Sequence, residues 1–304
     1  MGGLENLSTS LILWLQSCGT PALDSVFKII TFMGDEKFYL LLLPLVYWCF
    51  DKRLGIRLAL LVLVSNTVNL WCKYAFMLAR PNDKIVRYVT TQEGPGFPSG
   101  HTQSATVALG YLATQVRRWG AGIAALLLIL LVGLSRLYLG VHHLYDVVGG
   151  LLIGGLMLWL FIAVTAPAER LWRSWPRALR YGVALLAPVL LLAVPPLFLG
   201  GRGTEDAASS LGALAGFAVG AQLEGEGVRF TAGGVLVQRL LRFLLGFALV
   251  AVIYFGMSAL PLEGTLWRFV RYACVGLFAS AGAPWLFVRL RLAGVEGVMA
   301  PAAS

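Results

Sequence analysis

The residues of this chain best suited to proton transfer and nucleophilic chemistry are its three histidines, His101, His142 and His143. His142 precedes Asp146 by four residues, so on a helix both side chains lie on one face and the carboxylate can hold one imidazole nitrogen. Such a bond sets the tautomer and leaves the second nitrogen as a nucleophile or a base. His143 lies about 100° further round the helix, so we expect it in a structural or rim position.

Basic residues and a helix start accompany these histidines. Lys73 and Arg80 are seven residues apart, about two helical turns, so both can point the same way where an apolar segment ends. Ser99 is a good helix cap, and the free N–H groups at a helix start, here at Gly100, bind phosphate oxygens. Taken singly, each residue could merely reach the membrane interface or cap a helix. Together with Arg136, however, they fall on one predicted side of a membrane, where polar groups are usually functional. We therefore interpret the set as a site that holds a tetrahedral anion and attacks it.

Three segments carry these residues: Lys73–Pro81, Pro98–His101 and Ser135–Asp146. Their order and spacing resemble the three-part signature of the type-2 phosphatidic acid phosphatase superfamily. Its members include lipid phosphate phosphatases, glucose-6-phosphatase-like enzymes and vanadium haloperoxidases. The resemblance covers about Lys73–Asp146 of the chain.

The resemblance implies a role for each residue. His142 would be the nucleophile that forms a phosphohistidine, and Asp146 would orient it. His101 would protonate the leaving alkoxide and then act as base on the hydrolytic water. The phosphate oxygens would be bound by Lys73, Arg80, Ser99, the Gly100 N–H and Arg136, which stabilise the transition state. Neither a metal nor another cofactor is implied, and the basic surroundings argue against a metal site.

The composition explains what kind of element positions these residues. Of the 304 residues, 58% are hydrophobic and 13% charged, with a mean hydropathy of +0.78. Soluble domains are about 45–50% apolar and about 25% charged. Apolar blocks such as Val147–Ala166 and Phe243–Leu260 contain no charge and are long enough to cross a bilayer. We therefore predict an all-α, polytopic transmembrane helical bundle. The net charge of +9 is distributed between the apolar blocks, so it sets orientation and does not indicate nucleic-acid binding.

The hydropathy pattern predicts about nine spans after two short interfacial N-terminal helices, Leu7–Leu15 and Leu23–Phe32. The predicted spans are Phe38–Phe50, Arg57–Phe76, Thr102–Gln115, Ala121–Leu139, Leu144–Val164, Tyr181–Leu199, Ser209–Leu223, Leu240–Leu260 and Trp267–Val288.

The basic loops predict the orientation. Lys52–Arg57, Arg117–Arg118 and Arg170–Arg180 fall on one side of the predicted membrane, and cytoplasmic loops carry the excess of Lys and Arg. Ala79–Ser99 and Arg136–Asp146 then face outward. We expect an integral protein of the cell (inner) membrane with its site on the extracytoplasmic side.

Three regions follow from this pattern. Residues 1–35 hold the interfacial helices, 36–166 form a phosphatase core with the catalytic motifs, and 167–304 form an accessory transmembrane block. In the accessory block, Gly216 and Gly220 form a small-xxx-small pair that suits close helix packing. The four cysteines are scattered, without the spacing of a metal site or a disulfide framework.

The leading functional hypothesis is a metal-independent phosphatase that acts on a lipid phosphate or pyrophosphate in the bilayer. A lipid phosphotransferase would use the same residues, with another alcohol in place of water. A phosphate-headgroup transporter is the third hypothesis, although binding alone requires no nucleophile and no orienting carboxylate. A vanadate-dependent oxidase fits least, because the motifs lie among predicted spans. The oligomeric state stays open.

Overall fold

The computed structural model describes residues 2–297, and their regular structure is helical apart from one isolated bridge between Phe230 and Val295. The α-helices are α1 (Gly2–Ser17), α2 (Pro21–Phe32), α3 (Glu36–Cys49), α4 (Lys52–Phe76), α5 (Gly100–Val116), α6 (Trp119–Tyr138), α7 (Leu144–Ser174), α8 (Arg177–Leu191), α9 (Val194–Phe198), α10 (Thr204–Leu223), α11 (Leu236–Ser258), α12 (Thr265–Leu277) and α13 (Ala283–Arg289). Two π-helical turns, Glu224–Val228 and Phe278–Gly282, adjoin α10 and α12. The predicted all-α class is confirmed.

Five helical stretches of the described chain are long and apolar enough to cross a membrane. They are α4, α6, α7, the stretch Arg177–Phe198 that contains α8 and α9, and α11. The prediction of a polytopic helical membrane protein is therefore confirmed. The count of nine spans and the interfacial placement of α1 and α2 stay predictions.

Several predicted spans have different bounds in the structure. The span Leu144–Val164 continues as α7 through Pro167 to Ser174, where Glu169 forms two hydrogen bonds with Arg57, 2.7 and 2.9 Å long. A proline within an apolar helix costs one backbone hydrogen bond, which neighbouring groups can compensate in a membrane protein. The span Trp267–Val288 is divided by the π-helical turn between α12 and α13.

The chain forms two compact units, and each unit contains residues from two separate parts of the sequence. The first consists of Met1–Leu40 and Ser65–Ala166, and the second of Leu41–Val64 and Pro167–Ser304. The division into regions 1–35, 36–166 and 167–304 stays a prediction.

Small residues bring the helices of the first unit close together. A Cβ at Gly150 of α7 would lie 2.7 Å from the Ser99 carbonyl oxygen, and one at Gly154 would lie 2.9 Å from Thr106 Cβ. Helices α5 and α7 therefore touch through their backbones, as small-xxx-small pairs allow. This contact places the start of α5 against the start of α7.

A buried amide network joins α4 to α5 in the same unit. Asn69 donates to the Gln103 side-chain oxygen at 2.8 Å, and Gln103 donates to the Ser65 carbonyl and hydroxyl oxygens, both at 2.9 Å. All three side chains are buried. Buried amides are costly unless they are satisfied, so the network sets how α4 packs on α5. Lys73 lies one helical turn beyond Asn69.

The second unit has its own core and its own buried charges. Tyr47, Trp48, Phe230 and Phe287 form the centre of its largest apolar cluster. The fully buried Arg242 donates to the carbonyl oxygens of residues 231–233 and thereby satisfies a loop that has no regular structure.

Candidate active site

His142 and Asp146 are paired at the start of α7. Nδ1 of His142 lies 3.2 Å from Oδ2 of Asp146, and the His143 backbone N–H donates to the same oxygen at 2.9 Å. Both paired side chains are at most 2% exposed. The predicted spacing of one helical turn therefore does bring the imidazole and the carboxylate together.

The partner on the other side of the ring defines the tautomer of His142. Its Nε2 lies 3.2 Å from Nη1 of Arg80. A guanidinium has only donors, so Nε2 must be the unprotonated acceptor and Nδ1 carries the proton that faces Asp146. Burial and the nearby Arg136, Arg80 and Lys73 hold the pKa of His142 well below its usual range, which keeps the ring neutral. The unprotonated nitrogen is therefore Nε2, whose electron pair faces a guanidinium.

Arg136 brings unsatisfied donors to the same site. It lies in the last turn of α6 and is 1% exposed. Its Nη1 donates to the Thr31 hydroxyl oxygen at 2.7 Å, while its Nε and Nη2 are buried without a hydrogen-bond partner. Buried donors without acceptors are costly, and an oxyanion would satisfy them.

Lys73 and Arg80 hold the loop that precedes α5. Lys73 Nζ donates to the Pro95 carbonyl at 2.7 Å. Arg80 donates to the carbonyls of Gly94 at 2.9 Å, Glu93 at 3.1 Å and Val141 at 2.8 Å. Lys73 thus holds this loop against the end of α4, and Arg80 joins the loop to the segment that carries His142.

Ser99 caps α5 as predicted. Its hydroxyl oxygen accepts hydrogen bonds from the Thr102 N–H at 3.4 Å and the Thr102 hydroxyl at 3.0 Å. Its own N–H donates to the Asp146 carbonyl at 2.9 Å, which links the helix starts of α5 and α7.

The Gly100 N–H and the His101 ring lie in the first turn of α5 beside this link. His101 Nε2 lies 3.6 Å from Oδ2 of Asp35.

The N-terminal helices contact the motif segments, a finding beyond the predictions made from the sequence. Ser8 of α1 accepts from the Leu144 N–H at 2.7 Å and lies 3.2 Å from His143 Nδ1. His143 is therefore bonded to α1, in keeping with its expected structural position. In α2, Thr31 contacts Arg136. No local pattern could have indicated these contacts, because their partners are more than 100 residues apart.

Two further observations bear on what the site can hold. In the part of the chain that is described, no three His, Cys, Asp or Glu side chains form a group that could hold a metal ion. Ser135, the first residue of the third motif, donates to the Val132 carbonyl at 2.6 Å. The concentrated positive charge around His142 suits an anion.

The fold and the site together define a helical membrane protein with a buried His–Asp pair among cationic side chains. Residues 54–170 match the PAP2 superfamily, and residues 208–295 match the transmembrane extension of PAP2 superfamily phosphatases. The first of these matches contains all three motifs, so their resemblance to this superfamily is confirmed.

Similar curated proteins come from several organisms. The lipid phosphate phosphatase delta of Arabidopsis thaliana is 29% identical over 203 residues, which are 61% of this chain and 48% of that protein. The probable sphingosine-1-phosphate phosphatase of Dictyostelium discoideum is 31% identical over 157 residues, 47% of this chain and 39% of that protein. Glucose-6-phosphatase 3 of Mus musculus is 29% identical over 177 residues, 49% of this chain and 51% of that protein. The chain thus matches about half or less of the length of these relatives.

Among solved structures, the first transmembrane PAP2-type phosphatidylglycerolphosphate phosphatase, from Bacillus subtilis, is similar with a TM-score of 0.49 and 23% identity. The similarity covers 55% of this chain and 88% of that one.

Proposed function

We propose that this protein is a membrane phosphatase that hydrolyses a lipid phosphate or pyrophosphate through a phosphohistidine at His142. The observation that carries the proposal is the state of that ring. Asp146 holds Nδ1, and Nε2 keeps an electron pair beside Arg80. A buried neutral imidazole with one nitrogen held by a carboxylate and the other unprotonated is the arrangement that nucleophilic catalysis requires.

The reaction proceeds in two steps. Nε2 of His142 attacks phosphorus, the bond from phosphorus to the ester oxygen breaks, and His101 gives its proton to the leaving oxygen. His101 then takes a proton from water as the water oxygen attacks phosphorus, and the bond from phosphorus to Nε2 breaks, which releases phosphate and restores neutral His142. Asp146 stabilises the positive charge on the His142 ring during the attack.

Fixed positive charge stabilises the transition state. The unsatisfied Nε and Nη2 of Arg136 are donors for two phosphate oxygens. Arg80, Lys73 and the N–H groups at the start of α5 contribute further donors when phosphate replaces the loop carbonyls. Because these groups supply the charge that a metal would otherwise provide, we propose that no metal takes part.

The substrate class follows from the setting of the site and from the names of the relatives. Relatives are named for lipid phosphates, sphingosine 1-phosphate and glucose 6-phosphate. The helices of this chain are apolar enough to lie in a bilayer, where an acyl or prenyl chain can stay while its headgroup is hydrolysed. We therefore favour an amphiphilic phosphate on the extracytoplasmic side. Phosphotransfer to another alcohol uses the same residues. Headgroup transport requires no such nucleophile.

The first test measures phosphate release in detergent with EDTA. The panel contains phosphatidic acid, phosphatidylglycerol phosphate, sphingosine phosphate, a prenyl pyrophosphate and glucose 6-phosphate. Wild type is expected to release phosphate, and His142→Ala is expected to lose at least about a thousand-fold in rate, since the nucleophile is removed. His143→Ala is the matched control, with a loss of less than about tenfold, because its ring contacts Ser8 and not the proposed phosphate position.

Trapping the intermediate separates the alternatives. Substrate labelled at phosphorus, quenched in alkali, should leave label on wild type and none on His142→Ala. Label on both variants would contradict the assigned nucleophile, and release that depends on added Mg²⁺ would contradict the metal-free reaction. A new phosphate ester in the presence of glycerol would favour phosphotransfer, and binding without any turnover would favour transport.

A further inference from the structure

Asp35, in the turn between α2 and α3, places one carboxylate oxygen beside His101. Its Oδ2 lies 3.6 Å from His101 Nε2, an ion-pair distance, while its Oδ1 accepts the Lys37 N–H at 2.9 Å. The second contact is an ordinary helix cap for α3. Capping uses one oxygen only, so it does not explain why the other oxygen faces the imidazole.

The turn is held against His101 on both sides of Asp35. A Cβ at Gly34 would lie 2.7 Å from both the Cβ and the carbonyl oxygen of His101, so only glycine fits without a shift. The Tyr39 hydroxyl donates to the Met33 carbonyl at 2.7 Å. The position of Asp35 is therefore determined by packing as well as by its own charge.

The charges around His101 make a carboxylate useful there. Burial, and after it the charges of Arg136 on α6 and Lys73 on α4, lower the pKa of His101 to about 4, whereas Asp35 acts in the opposite direction and raises it. Asp35 itself is ionised, because the contact with His101 and the Lys37 N–H lower its pKa to about 2. A nearby anion opposes the lowering of the His101 pKa and so increases the fraction of His101 that carries a proton at a given pH.

We propose that Asp35 is a positioning residue that orients His101 through Nε2 and stabilises its imidazolium, which leaves Nδ1 to exchange the proton with the leaving oxygen and the water. The proposal rests on the proposed function. Asp35 would then be an active-site residue in the N-terminal segment. This segment lies outside residues 54–170, which match the PAP2 superfamily. The first unit would then contain two His–carboxylate pairs. His142 with Asp146 would attack phosphorus, and His101 with Asp35 would transfer the proton.

The test variant is Asp35→Asn, because an amide oxygen can still cap α3. Asp51→Asn is the matched control: Asp51 caps α4 by accepting the Leu54 N–H at 2.8 Å, and it belongs to the other unit. Should Asp35→Asn unfold, Asp35→Ser provides a second uncharged cap. Thermal unfolding of all variants reports whether the fold is retained.

Kinetics provide the first readout. With an alkyl phosphate, Asp35→Asn is expected to lower kcat about ten- to a hundred-fold with little change in KM, since general acid–base catalysis contributes about 10²–10⁴. The basic limb of its pH profile should move to lower pH. With p-nitrophenyl phosphate, whose leaving group needs little protonation, the loss should be smaller. An equal loss on both substrates, or a change in KM alone, would overturn the proposal.

A second readout is independent of turnover. The chain has three histidines, so the titration of His101 can be followed by NMR of ¹⁵N-histidine protein in micelles. Asp35→Asn should lower the midpoint pH of His101 by about one unit, as expected when an adjacent charge is removed, and Asp51→Asn should leave it unchanged. An unchanged midpoint overturns the Asp35 proposal even in an active enzyme. A shifted midpoint in a protein that releases no phosphate supports the pairing and contradicts the proposed function.

Discussion

Single residues of the first unit carry charges that pair over long distances in sequence. Arg87, in the loop after α4, donates to both carboxylate oxygens of Asp24 in α2 at 2.7 and 2.9 Å, and the Tyr138 hydroxyl donates to the same carboxylate at 2.6 Å. These hydrogen bonds lower the pKa of Asp24 from 3.8 to about 2, and the bond with Arg87 has the largest effect. The folded state therefore favours the ionised carboxylate, and this contact joins α2 to the loop and to α6.

Removing the charge of the Asp24 carboxylate tests this contact. A lowered pKa means that its stabilising effect is present in full above about pH 4 and is lost as the pH falls towards 2. Asp24→Asn should therefore lower the unfolding temperature at pH 7, and the difference from wild type should shrink between pH 4 and pH 2. Thermal unfolding in detergent across this range measures it, with the exposed Asp83→Asn as control. A difference that stays constant with pH would show that the charge of Asp24 plays no part.

At the scale of elements, α10 and α12 of the second unit meet backbone to backbone. A Cβ at Gly216 would overlap the Ala273 carbonyl, and one at Gly212 would overlap the Phe269 carbonyl. Small residues allow this close approach of two helix backbones. Gly216 forms a small-xxx-small pair with Gly220 in the sequence, and a Cβ at Gly220 would overlap the Ser280 hydroxyl. The close helix packing that these glycines predict is confirmed.

Gly216→Ala should lower the unfolding temperature of the protein, because overpacking of this kind costs about 1–3 kcal/mol. Gly182→Ala in α8 is the matched control: nothing lies within 4 Å of its added Cβ. Alanine there should leave stability unchanged or raise it slightly, since it suits a helix better than glycine. Equal unfolding temperatures for the two variants would contradict the close contact of α10 with α12.

At the scale of the whole molecule, the candidate site lies in one unit that combines distant parts of the chain. Its residues come from Met1–Leu40 and Ser65–Ala166, and α5 leads from the site at His101 to the exposed Arg117 and Arg118. A helix of this length is about 25 Å long, close to the thickness of the hydrocarbon core. If α5 lies along the membrane normal, the site and these arginines lie at opposite faces of the bilayer.

Cysteine labelling tests this orientation. In a background with the four native cysteines replaced by alanine and phosphate release retained, Lys84→Cys should react with a membrane-impermeant maleimide on intact cells. Arg118→Cys should react only after the cells are opened, since the basic loops are expected to be cytoplasmic. The reverse pattern would place the candidate site on the cytoplasmic side.

The local parts of this protein were predictable from its sequence. The helical class follows from apolar blocks that no soluble domain tolerates, and Ser99 is recognisable as a cap before α5. The His142–Asp146 pair follows from a spacing of four residues. The cap and the pair depend on contacts within one or two helical turns, where sequence distance and spatial distance agree, and the helical class depends only on the composition of continuous segments.

Tertiary structure alone decided the rest. Thr31 reaches Arg136, and Asp35 reaches His101, across 105 and 66 residues respectively. The apolar pattern of residues 1–35 predicted interfacial helices but could not indicate these polar contacts. These contacts depend on how α2 packs against α6 and on how closely Gly34 approaches His101. Such close packing depends on the shapes of both partners, which no single segment of sequence specifies. The sequence thus determined which groups could do the chemistry, and the packing of distant helices decided which further groups surround them.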